Sequence, residues 1–177
     1  MPFTERQVWT MFHGIVLGGG LLLVSPIVLN ALWILRPDWV SKVGIERLVR
    51  RLRVGSWVMA IFTWSAVLTG LLIVLPWYRA TPPQNPADLA HFPQAYLLAN
   101  PNLAAWHTYW GLWKQHIGLI TPLLATSIAY VATRYGAQLA EERELRRILV
   151  VVATILFALI VVAAILGALI NKLAPVR

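Results

Sequence analysis

The sequence predicts an all-α integral membrane protein. Its expected form is a bundle of four transmembrane helices, with both termini outside and a long Pro/Trp-rich outer loop between helices two and three. Three observations carry this. Hydrophobic residues make up 59% of the chain and charged residues 12%, about half the charged share of a soluble domain. The mean hydropathy is +0.68. Four apolar runs, 8–35, 54–77, 117–133 and 148–170, approach or exceed the roughly 20 residues that cross a bilayer. What remains is too short for a separate soluble domain, so residues 1–177 read as a single membrane domain.

The first helix is expected at about 8–35. Thr4 and Gln7 have the spacing of a capping box. The apolar run far exceeds the roughly 7–15 residues of a signal-peptide core, and no A-x-A-like site follows it, so it reads as a retained helix. Gly14 and Gly18 form a G-x-x-x-G step, extended by Gly19 and Gly20. Such a step predicts close approach of a neighbouring helix; room for a flat cofactor ring is the competing reading. Ser25 precedes Pro26, and its hydroxyl is placed to repair part of the backbone gap that proline opens. The alternative at this position is a bend that widens the bundle around a ligand.

A basic loop follows, with Arg36, Lys42, Arg47, Arg50, Arg51 and Arg53, and leads to a second helix at about 54–77. Residues 78–102 form the outer loop. Its Thr81-Pro82-Pro83-Gln84-Asn85-Pro86 segment is incompatible with regular helix or a central strand. Short interfacial helices are expected at 87–92 and 94–98. Asn100-Pro101-Asn102 then starts a helix expected to run unbroken over 103–133, protruding from the membrane before it enters. Thr121-Pro122 repeats the hydroxyl–proline pair. The fourth helix is expected at 141–171, with polar first turns and a small-residue face of Ala163, Ala164, Gly167 and Ala168. Each half is thus an inbound helix, a basic loop and an outbound helix. The His-to-Pro spacings differ between the halves, so a bundle is implied and an exact repeat is not.

Charge sets the expected orientation. The loop after helix three carries Arg134, Arg143, Arg146 and Arg147, whereas Arg79 is the single basic residue from Tyr78 to Trp113. Short Lys/Arg-rich loops remain cytoplasmic. The expected location is therefore the bacterial inner (plasma) membrane, multi-pass, with N and C termini on the periplasmic side. The net charge of +8 fits contact with anionic lipids on the inner face rather than nucleic acid. Trp9, Trp77, Trp106, Trp110 and Trp113 mark the outer boundary, and Trp33, Trp39 and Trp57 the inner one.

Several chemistries are excluded. With no cysteine, there is no disulfide, cysteine-ligated iron–sulfur cluster or C-x-x-C-H haem attachment. All seven acids lie outside the apolar runs, and Asn30 is the most polar residue deep within one. That argues against an ion-coupled transporter acting alone. No P-loop, H-E-x-x-H or G-x-S-x-G occurs.

The four histidines fall on one side. At about 1.5 Å per residue, His13 lies about 33 Å from Leu35 and His116 about 27 Å from Arg134. Both therefore sit near the outer edge of an apolar layer about 30 Å thick. Matched depth makes His13 and His116 candidate haem-iron ligands for a b-type haem. Lys114, Trp110 and Trp113 are candidates to line the cofactor site, Lys114 by bonding a propionate or a quinone carbonyl. A continuous helix would align His107, Trp110, Lys114, Gly118 and Thr121 along one stripe and turn His116 to the opposite face. His91, His107 and Trp106 are assigned a partner-facing role. A copper or zinc site using His107 or His91, and purely structural histidines, are the competing readings.

In outline the chain resembles small four-helix membrane cytochromes and anchor subunits of respiratory complexes, an analogy of architecture. The function expected is an accessory or anchor subunit of a respiratory or photosynthetic electron-transfer complex, not catalytic on its own. It would sit among other membrane subunits and hold a haem b or a quinone near the outer leaflet. The alternatives are a purely structural scaffold subunit and, last, a small neutral-solute carrier.

Overall fold

The structure, a computed structural model, describes residues 3–84 and 88–174. It is helical throughout, with no strand among the described residues. Four helices are long and apolar enough to cross a membrane: α1 Glu5–Ile34, α2 Lys42–Tyr78, α4 Trp106–Tyr135 and α6 Arg143–Leu173. Two short helices, α3 Pro93–Ala99 and α5 Gln138–Glu141, lie in the connections. The long helices form an antiparallel ring in which α1 touches α2 and α6, and α4 touches the same two. The first and last described residues and the long connection lie at one end, the loop end; the basic hairpin tips lie at the other, the basic end.

α1 opens on the expected capping box. Thr4 N–H donates to Gln7 Oε1 at 3.0 Å, and Gln7 N–H to Thr4 Oγ1 at 3.2 Å. α2 begins a dozen residues before the expected start at 54. Ser41 caps it by accepting from Gly44 N–H. The Arg-rich stretch assigned to a loop is therefore an amphipathic helical overhang. Val49 and Leu52 face the core while Arg47, Arg50 and Arg51 face out. The connection proper is only the turn at 35–41. There the Arg36 guanidinium lies over Trp33 and Trp39 at 5.0 and 4.3 Å and donates to the Trp33 carbonyl.

In the long connection, Asp88 caps a single turn at Leu89–His91, and Pro93 starts α3. Residues 85–87, part of the proline segment and of the first interfacial helix expected, lie outside the described residues. Asn100 accepts from the Asn102, Leu103 and Ala104 amides and so starts the chain toward α4, as its position predicts.

The two proline pairs differ. Pro122 removes the amide that would bond the Gly118 carbonyl, and Thr121 Oγ1 donates to that carbonyl at 3.0 Å. Pro26 frees the Leu22 carbonyl, but Ser25 Oγ donates to Leu21 instead, at 2.7 Å. The glycine step also differs from expectation. A Cβ at Gly14 or Gly19 would meet no neighbour within 4 Å, whereas one at Gly20 would run into the Phe62 ring. The close approach of α1 to α2 is made at Gly20.

Two apolar clusters hold the bundle. The larger runs from the basic end to about Leu21 and Ile160, with Leu32, Leu52, Met59, Ile128, Ala129 and Leu156 at its centre. The smaller caps the loop end, where Tyr78, Leu97 and Ala174 pack with Leu75, Trp106, Ile170 and Leu173.

Candidate functional site

Between these clusters lies a polar layer that belongs to neither. It contains His13 on α1, Thr69 on α2 and Lys114 on α4. At this level the helical geometry changes. Phe12–Gly18 in α1, Gly70–Val74 in α2 and Trp106–Gly111 in α4 are π-helical. Such turns bond i→i+5, carry an additional residue per turn and recur at functional sites. All three lie toward the loop end.

His13 is half-buried and turned toward α2. Its Nδ1 lies 3.2 Å from Thr69 Oγ1, and its ring fills the space left by Gly70, where a Cβ would come within 2.8 Å of Cε1. The other partners of the Thr69 hydroxyl indicate the direction of the bond. Thr69 has one hydroxyl hydrogen, and it is given to backbone carbonyls, Ser65 at 2.7 Å and Ala66 at 3.2 Å. Thr69 oxygen therefore accepts from His13 Nδ1–H. In the neutral ring this leaves Nε2 with a free lone pair, and Nε2 has no hydrogen-bond partner among the described residues.

Lys114 enters the same layer from α4. Its stem lies on Gly167 of α6, where a Cβ would come within 2.9 Å of the lysine Cε. The side chain is thus directed across the bundle, not out into lipid. Its charge lies within electrostatic reach of the His13 ring. Among the described residues the two ion pairs are Asp88 with His91 and Glu144 with Arg147, both exposed, so Lys114 has no counter-charge. An ionisable side chain turned into an apolar bundle is costly and makes Lys114 a functional candidate.

His116 is placed differently. It is exposed on α4, and its Nδ1 donates to the Leu112 carbonyl of its own helix at 2.7 Å. Its Nε2 is also free, but it faces outward. His13 thus bonds across to α2, whereas His116 bonds its own helix and stays exposed: similar depth along the sequence does not by itself make a ligand pair. Trp110 and Trp113, expected beside Lys114, are 41% and 52% exposed. They stack with Tyr109 on the outer surface. For Trp110 the π turn explains this. The added residue puts buried Gly111 on the bundle side where an α-helix would present Trp110.

His107, expected to face a partner, is held within the chain. Tyr78 Oη lies 2.9 Å from its Nδ1 and Gln94 Nε2 lies 3.3 Å from its Nε2. With the Gln94 amide donating, Nδ1 carries the hydrogen and donates to the Tyr78 oxygen. Trp106 likewise packs inward, into the cap. His91 remains exposed beside Asp88, at 4.0 Å. No group of three or more His, Asp or Glu side chains suited to a metal ion occurs among the described residues. Asn30, the most polar residue deep in a span by sequence, is exposed in a groove between α1 and α6, away from this layer.

Thr69 and Gly70 carry no motif that singles them out. The available signal is that Thr63 and Thr69 interrupt an apolar span, but which helix face they occupy depends on register and on the partner helix. Compared with protein-family models, curated proteins and solved structures, the chain matches none.

Proposed function

We propose that the protein is a multi-pass membrane subunit of an electron-transfer assembly that holds a quinone head group in the polar layer, between His13 and Lys114. The observation that carries this is the pairing, inside an apolar bundle, of a lysine without counter-charge and an imidazole with an open nitrogen. A quinone ring is flat and apolar, with two carbonyl oxygens that seek donors. It suits a layer where apolar surface surrounds a few convergent polar groups. The outward His116 no longer favours a haem held within this single chain; a b-type haem using its free Nε2 would need a ligand from another subunit.

In this reading the loop end faces outward and the basic end lies against anionic lipid of the bacterial inner membrane. Other membrane subunits supply the redox partner, and the chain is not catalytic by itself. Two measurements test these points. Organic extraction of the purified protein should yield quinone in near-stoichiometric amount, and less after Lys114→Met; its absence from the native protein would overturn the assignment. Because the chain has no cysteine, single His91→Cys and Glu142→Cys variants report the topology. An impermeant maleimide should label the first in intact cells and the second only after lysis.

A further inference from the structure

Resting on the quinone reading of this layer, we infer that the site selects the reduced, quinol form of its ligand, and that Thr69 sets this preference by fixing the hydrogen of His13 on Nδ1. The observation is the direction of the hydrogen-bond chain. Thr69 gives its one hydrogen to the Ser65 and Ala66 carbonyls and so presents only lone pairs to His13. Nδ1–H is thereby committed, and the ring rests against Gly70, which leaves it no room to shift toward α2. Nε2 is left as an acceptor. Across the layer, Lys114 has N–H hydrogens to give.

A ligand oxygen that satisfies both must donate a hydrogen to Nε2 and accept one from Nζ. A quinol hydroxyl does both. A quinone carbonyl can accept from Lys114, but it turns lone pairs toward the Nε2 lone pair and leaves that nitrogen unsatisfied. One hydrogen bond separates the two forms, which corresponds to a preference of roughly tenfold. Thr69 is therefore a positioning residue. It touches no ligand and acts through the His13 tautomer.

The test uses the full chain in lipid nanodiscs, with a decyl-substituted benzoquinone and the quinol obtained by reducing it. Binding of each is measured by equilibrium partition against empty nanodiscs. The native protein should bind the quinol roughly tenfold more tightly than the quinone. Thr69→Val removes the acceptor at nearly constant shape. His13 can then carry its hydrogen on Nε2 and donate to a carbonyl, so quinone affinity should rise and the ratio should fall to about one. Thr69→Ser keeps the acceptor and should keep the ratio. If Thr69→Val does not yield a monodisperse protein, Thr69→Ala provides the same comparison. Equal binding of both forms by the native protein would overturn the tautomer inference and leave the quinone site standing. Binding of neither would overturn both.

Discussion

Tyr78, the last residue of α2, and His107, in the first turn of α4, are joined across the loop end by a 2.9 Å hydrogen bond. With Gln94 on the other ring nitrogen, this bond ties α2, α3 and α4 into one cap. Tyr78→Phe keeps the ring in its apolar cluster but removes the acceptor for Nδ1–H. Leaving that donor half-buried and unpaired should cost about 1–3 kcal/mol. The effect should be local: faster proteolysis and faster amide exchange in 88–100, with the four spans unchanged. Unchanged exchange in this connection would show that the bond does not hold the cap.

Gly20 and Gly14 separate close packing from mere small size. Gly20→Ala places a methyl group against the Phe62 ring, which must move; overpacking of this kind costs about 1–3 kcal/mol. Gly14→Ala meets open space and should be neutral or slightly stabilising, since alanine favours helix. Thermal midpoints in detergent should fall for the first and not for the second.

The proline pairs predict a second asymmetry. Thr121→Ala leaves the Gly118 carbonyl without the donor that replaces the missing Pro122 amide, at a cost of about 1 kcal/mol. Ser25→Ala removes a bond to Leu21, a carbonyl that is not the one Pro26 frees, and should cost less. Equal shifts in denaturant midpoint would contradict this account.

Lys114→Met keeps the length of the stem over Gly167 and removes an unpaired ionisable amine from an apolar surround. The variant should be more stable, by about 1–3 kcal/mol, and should lose bound quinone. Stability would thus rise as binding falls, the trade expected of a residue retained for function. A lower thermal midpoint would mean that Lys114 has a structural partner after all.

How much could be read in advance follows from the range of each interaction. The sequence alone determines the four spans, because hydropathy over about 20 residues depends on no neighbour. The same holds for the Thr4–Gln7 box, the start at Asn100 and the Thr121 repair of Pro122, where each partner lies within four residues. The segregation of basic residues to one end is local information too. Tertiary structure decided the rest. The Arg-rich stretch 42–53 became helix because Val49 and Leu52 found a core to enter. Which side chains face inward at the loop end was decided by π turns, which shift the register between Trp110 and Gly111. The contact at Gly20 rather than Gly14 depends on where Phe62 stands. Counting gives His13 and His116 a similar expected depth; that His13 turns to Thr69 while His116 stays exposed is fixed only by the ring of four helices around them.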